Sequence, residues 1–344
     1  MAGTTHRIGR DHIHTYWSGS LPPAVTVQPG DTVVFETVDC NDGEVQRELD
    51  RLTGTHNALS DDLREAVRAS VYPERGATDR DPSIRGGHPL TGPVVVDGAQ
   101  VGDTLVVEIL DIACAPWGWN SAHHREGQMG LLNDWMAEGG YTADQFHIWD
   151  LRQPGVAIFN ERIRVPTGPF CGVIGVAPGA PGHHTTIPPR RVGGNMDVRH
   201  LTAGSTLYLP IEAEGARFSL GDVHAAQGDG EVTGTGIEMD ATVTVRLSLR
   251  RDTPELEAPQ FHTTAAPLSI PGPYYVATGH QPELREAARQ ALRGVMDYMV
   301  AEQELARHEA YQLASACVDL KISQIVDLPH YTVSAYLPLS IFGA

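Results

Sequence analysis

Gly193 to Asp240 reads GGNMDVRHLTAGSTLYLPIEAEGARFSLGDVHAAQGDGEVTGTGIEMD, short apolar strands set between glycines and loaded with polar groups. Asn195, Asp197, Asp222, His224, Gln227, Asp229, Glu231 and Glu238 all fall inside it. Strand alternation along Ser219–His224 puts Asp222 and His224 on one face, roughly 6–7 Å apart, a spacing that suits two ligands of one metal ion. An Asp-x-His alone reads as a solvent-facing hairpin. The Gln-Gly-Asp-Gly-Glu that follows carries more acid than a hairpin requires. Asn195 and Asp197 share a face by the same rule. On an unbroken strand Glu231 and Glu238 have opposite parity, and Gly234 or Gly236 would have to host a bulge for both to reach one site.

The flanking sequence continues the pattern. β-branched runs at 32–38, 94–96, 104–109 and 242–249 are separated by turn signals such as Pro29-Gly30-Asp31. Leu207–Ile211 reads as a core strand, and Pro169–Pro178 as a buried strand broken by glycine. Helical spacing is confined to Ser60–Val71, to the stripe Leu284, Ala288, Leu292, Val295 and Met299 behind Pro282, and to about 301–316. Strands at 321–326 and 331–338 close the chain. The expectation is a mostly β protein with an α+β C-terminal part, divided into an N-terminal β-rich subdomain (1–165), a central β subdomain carrying the motif (166–260) and a C-terminal α+β subdomain (261–344).

Composition narrows the function classes. The 344 residues carry a formal net charge of −18, which repels a nucleic-acid duplex or an anionic membrane surface. No apolar run is long enough to span a bilayer, and the N-terminus lacks the apolar region of a secretory signal. Cys40, Cys114, Cys171 and Cys317 form no C-x-x-C pair, which fits a cytoplasmic protein with reduced thiols. Cys171 sits in an apolar run without an adjacent base and reads as a core residue. His12 and His14 share a strand face near the terminus and read as bystanders. Trp117 and Trp119 either wall a small pocket or pack a junction, and the adjacent His123 and His124 point different ways on any regular element. Asp39, at a strand end, is either a ligand or a turn former.

Several long motifs, in order, resemble the acetamidase/formamidase family of small-amide hydrolases. They are LTGPVVVDGAQVGDTL (90–105), CGVIGVAP (171–178), GGNMD (193–197) and LYLPIEAEGARFSLGDVHAAQGDGEVTGTGIE (207–238). The similarity runs from HIHTYW at 12–17 to DLKISQIVDLP at 319–329. It implies a β-sandwich or barrel architecture, a small aliphatic amide as substrate, a homo-oligomer, and a place for the Leu90–Pro93 corner beside the active site.

The residues themselves point to a mechanism. Asp197, Asp222 and His224, with Asp39 as a fourth, are the expected ligands of a divalent metal, zinc being favoured by the histidine. Such an ion lowers the pKa of a bound water toward about 7 and polarises the carbonyl. Glu231 is the expected base, Glu238 its substitute, and Gln227 a hydrogen-bonding partner for the amide; Asp229 completes the catalytic set. No G-x-S-x-G elbow suggests a serine enzyme. The competing readings are hydrolysis of a small cyclic amide by the same site, and a metal- or ligand-binding β module without activity.

Overall fold

The computed structural model describes residues 3–52, 59–70, 87–125, 128–130, 133–161, 164–231, 233–251, 254–263, 273–304 and 318–342. The helix expected over 301–316 falls almost wholly outside them. Alternation is plainest in Ala241–Arg250, where Ala241, Val243, Val245 and Leu247 turn inward and the residues between them are half-buried. That strand lies in a nine-stranded sheet between Thr32–Glu36 and Thr104–Cys114, and the sheet continues through Thr206–Pro210, Gln260–Thr263, Tyr274–Gln281 and Tyr331–Pro338 to Asp319–Gln324. Strands from near both ends of the chain therefore share one sheet.

A second sheet of twelve strands carries Trp117–Ala122, Glu238–Met239, Phe218–His224, Phe170–Gly175 and Gly193–Asn195 as consecutive neighbours. Leu90–Val96 branches onto Phe218–His224, with a register shift between Phe218 and Leu220. The two sheets pack on each other through one apolar core. Phe35 of the first meets Phe218 of the second edge-to-face at 5.8 Å, and Val107, Leu209 and Val245 join Val94, Ile174 and Leu220. Each such side chain, fully withdrawn from water, contributes about 1.5–3 kcal/mol. Phe218–His224 is buried along its entire length, so its polar residues enter the interior with its apolar ones.

Helices are few: two of them were placed by sequence, while the short Glu44–Glu48 and Asn133–Glu138 lie in segments read as irregular. Ser60 caps Asp61–Ala69, its side chain accepting from the Leu63 amide, and Leu63 and Val67 are buried. Leu284–Glu302 begins just after Pro282, and its buried stripe is Ala287, Ala291, Val295 and Met299, spaced four residues apart. Leu284, Ala288 and Leu292 flank that stripe half-buried, so the packed face is rotated slightly from the expected one. The helix covers Tyr274–Gln281 and Tyr331–Pro338, with a small apolar core of its own.

Candidate active site

A cavity of about 530 Å³ is walled by Cys40, His88, Asp222, Glu231, Glu238 and Asp327, among others. Its carboxylates are held by unusual backbone. Asp197, Asp222 and Glu231 have φ of 49°, 52° and 49°, the left-handed region that non-glycine residues rarely enter. Such conformations persist only where the surrounding fold over-determines them, and they cluster at functional sites. Asp222 reaches its conformation in mid-strand. Glu231 reaches its own in a turn, where its amide donates to the Gly228 carbonyl and its carbonyl accepts from Gly234. The parity argument for Glu231 and Glu238 therefore fails, because the chain between them is a loop and only Glu238–Met239 is strand.

His224 is the centre of the group. Its Nδ1 lies 2.8 Å from Gln227 Oε1, an acceptor, so Nδ1 carries the proton. Gln227 Nε2 in turn donates to the Asp197 carbonyl at 3.3 Å. Nε2 then faces Asp222 Oδ1 at 3.4 Å and Glu238 Oε2 at 3.1 Å. A neutral imidazole would present a lone pair to two carboxylates there, which only a proton or a cation relieves. Burial disfavours the imidazolium, but the charges of Glu238 and Asp222 outweigh it and raise the His224 pKa well above the ordinary value. Burial likewise opposes ionisation of Asp222. The charges of His88 and His224, with hydrogen bonds, override it and hold that carboxyl well below its usual range.

The other acids behave oppositely. Burial first, then the neighbouring carboxylates, push Asp197 and Glu231 well above the usual range, and burial also raises Glu238 and Asp327. Among the described residues neither oxygen of Asp197 accepts a hydrogen bond of good geometry, and Glu238 Oε2 has only the His224 Nε2 contact at 3.1 Å. Two glycines make the crowding possible. A Cβ at Gly172 would lie 2.5 Å from Asp222 Oδ2 and 2.7 Å from Asp197 Oδ1. A Cβ at Gly236 would lie 2.6 Å from His224 Nδ1. Donor atoms within 4.8 Å of one another form two abutting sets, Asp197–His224–Glu231 and Cys40–Asp222–Glu238. Mostly buried and mostly oxygen-bearing, both sets are of the kind that could hold a divalent ion.

A model of the acetamidase/formamidase family matches residues 55–183 and 180–344. The chain belongs to the acetamidase/formamidase family. It is 27% identical to a formamidase of Methylophilus methylotrophus over 96% of this chain and 89% of that protein. It is 28% identical to an acetamidase of Mycolicibacterium smegmatis over 75% of this chain and 70% of that protein. Among solved structures, a predicted acetamidase/formamidase of Thermoanaerobacter tengcongensis superposes with a TM-score of 0.77 at 26% identity, covering 98% of this chain and 97% of that one.

In this family member Asp197, Asp222, His224, Glu231 and Glu238 come together as described. The remaining candidates lie elsewhere. Asp39 spends its carboxylate on its own loop: Oδ1 accepts from the Asn41 and Gly43 amides at 2.8 and 3.2 Å, and Oδ2 from Gln46 Nε2 at 2.9 Å. Its work is to hold the turn that presents the next residue, Cys40, to the cavity. Asp229 faces a neighbouring cavity of about 770 Å³ and pairs with Lys321 Nζ at 2.9 Å. Gln227 binds His224 with its oxygen and Asp197 with its nitrogen. Burial pushes the Cys171 thiol up to about 12, keeping it protonated inside the core. His14, buried, bonds Ser219 Oγ at 2.8 Å, while His12 stays near the surface beside Asp11. The tryptophans divide the two roles between them: Trp119 lines the cavity, and Trp117 packs, its Nε1 donating to Ser70 Oγ at 2.8 Å.

Cys40, His88 and Asp327 escaped the sequence reading as site residues. Cys40 stands beside the candidate Asp39, in a stretch that offered no local pattern. Asp327 lies in the closing DLP motif, and Asn195 Nδ2 donates to it at 2.9 Å across 132 positions of sequence. His88 precedes the Leu90–Pro93 corner, the only local sign of its place.

Proposed function

We propose that this protein hydrolyses a small linear amide of the formamide or acetamide type to a carboxylate and ammonia, with a divalent ion, zinc first, among Asp197, Asp222, His224 and their neighbours. The names of its relatives supply the substrate class, and one observation carries the site: buried carboxylates gather about His224, and Asp222, Glu231 and Glu238 among them line one cavity. Four carboxyl groups raised by burial beside one held ionised form a site short of positive charge. Cys40, Asp222 and Glu238 are one donor set and Asp197, His224 and Glu231 the other, with His224 Nε2 also within 3.4 Å of Asp222 and Glu238. An ion bound there would act as a Lewis acid on the amide carbonyl and lower the pKa of water beside it.

The chain's own groups do the rest. Glu231 is the base: among the described residues nothing hydrogen-bonds its carboxylate, and burial beside other carboxylates, which raises its pKa, makes the ionised form a stronger proton acceptor. Gln227 fixes the His224 tautomer, and through the Asp197 carbonyl it ties the two halves of the site together. Glu238 is anchored by the Gly236 amide at 2.7 Å, which suits a fixed ligand better than a proton carrier. The indole of Trp119 supplies an apolar wall that excludes water from one side. The test is ammonia release over a panel of small amides, with metal analysis of the same protein. Ammonia from formamide or acetamide with stoichiometric metal supports the proposal. No turnover of any linear amide by metal-loaded protein sinks it.

A further inference from the structure

The wall of this cavity holds a second arrangement of chemical groups. Ser121 ends the Trp117–Ala122 strand and is 4% exposed, its amide donating to Thr235 Oγ1 at 3.1 Å. Thr235 belongs to the loop that carries Glu231, so Ser121 is fixed against that loop. Ser121 Oγ stands 3.4 Å from His123 Nε2, and His123 Nδ1 stands 3.2 Å from Asp144 Oδ2, within ion-pair reach though off the hydrogen-bond line. Ser121 and His123 both line the cavity with Glu231 and Glu238, and Asp144 stands behind them. Hydroxyl, imidazole and carboxylate thus stand in series, nucleophile-type group first and orienting acid last. The distances are longer than those of a closed relay, as is usual in a site without substrate.

Asp144 is well placed to orient the ring. Its Oδ1 accepts from His124 Nδ1 at 2.7 Å and the His124 amide at 3.4 Å, and its Oδ2 from Gln128 Nε2 at 3.2 Å. Burial opposes ionisation, but hydrogen bonds from His124 and His123 outweigh it and hold the carboxyl below its ordinary range. Asp144 behind Nδ1 fixes the His123 ring so that Nε2 faces Ser121 Oγ at the cavity wall. The adjacent histidines do point different ways, as two neighbours on extended chain must; both reach the same carboxylate, and only His123 lines the cavity.

We propose that Ser121, His123 and Asp144 form the acid arm of the reaction, with His123 delivering the proton that the departing nitrogen requires. This rests on the amide-hydrolysis reading. Water adds its oxygen to the carbonyl carbon and yields a proton to Glu231. The carbon–nitrogen bond then breaks, its electron pair goes to nitrogen, and nitrogen takes a proton from the His123 imidazolium by way of Ser121 Oγ. Glu231 then releases the proton it took, neutral His123 regains one from solvent, and the product acid ionises as the ammonia is protonated, so both groups return to their starting states. One carboxylate need not both receive and return the proton, and the two ends of the transfer lie on separate walls of one cavity.

The test compares two leaving groups. In His123→Gln, acetamide hydrolysis should fall about 10²–10⁴-fold, the usual cost of losing a general acid. Hydrolysis of p-nitrophenyl acetate, whose phenolate leaves without a proton, should stay close to the wild-type rate. His124→Gln removes the shorter contact to Asp144 and serves as the control for simple loop stapling. Equal loss on both substrates, unchanged acetamide turnover, or a His124→Gln defect matching that of His123→Gln would each overturn the proposal. So would an acyl adduct trapped on Ser121, which would make that hydroxyl the nucleophile. A readout independent of turnover is the His123 ring itself by nitrogen-15 NMR: its ring signals should move in Asp144→Asn, and unmoved signals overturn the relay. A wild type that releases no ammonia from any amide would sink the amide reading instead; the Asp144-dependent ring signals would still decide the array.

Discussion

Gly172→Ala tests the crowding on which the site depends. The added methyl would meet Asp222 Oδ2 at 2.5 Å and Asp197 Oδ1 at 2.7 Å, with the Asp222 carbonyl at 3.0 Å. Ordinary contact begins at 3.4 Å, so the two carboxylates must give way by about 0.9 and 0.7 Å, or the strand must shift by as much. Moving either disturbs the site: Asp197 and Asp222 are 1% and 3% exposed, both sit on strained backbone, and Asp222 could yield only into the cavity. Overpacking of this kind costs about 1–3 kcal/mol. Moving two groups by most of an ångström should lower amide turnover by about 10²-fold while the fold survives. Urea unfolding with ammonia release on the same preparation measures both effects. A variant with wild-type stability and wild-type turnover would refute the packing argument, since the methyl would then have found room the structure denies it.

Three further outcomes are expected. Glu231→Gln should keep the metal and the fold and lose about 10²–10⁴-fold in turnover, whereas Asp222→Asn should lose metal affinity; a dead, metal-loaded Glu238→Gln beside an active Glu231→Gln would move the base to Glu238. Cys171→Ala should retain appreciable activity, because its thiol, raised to about 12, is protonated at any working pH; loss of turnover in folded protein would restore it as a reactive group. Metal-free protein should lose melting temperature as pH rises above the ordinary carboxylate range of about 4, since the unfolded chain releases protons that folded Asp197, Glu231, Glu238 and Asp327 retain, and a divalent ion should flatten that loss. A metal-free melting temperature that climbs between pH 5 and pH 8, about one unit either side of a typical histidine, would contradict it.

Strand alternation determined much of this protein without any structure. Ala241–Arg250 reads the same in sequence and in space because one face of the strand meets an apolar core and the other does not. The helices at 61–69 and 284–302 were legible for a comparable reason, their caps and stripes being local. The central motif also marked where buried acids gather, since glycine-spaced acids exceed what turns demand. Geometry was another matter. Asp222, Asp197 and Glu231 leave regular backbone where they matter most, so a two-residue period does not describe them, and the loop between Glu231 and Glu238 has no parity at all. Cys40, His88 and Asp327 enter the site from segments 48 and 239 positions apart, and no pattern within any one of them records the meeting. The Ser121–His123–Asp144 series has the same origin. Its members lie within 23 positions of one another, yet only the pairing of Trp117–Ala122 with Gln145–Asp150 turns that span into a contact. Local periodicity encodes which faces are buried; which polar groups share a cavity is set by strand order and by loops that only the packed sheets hold in place.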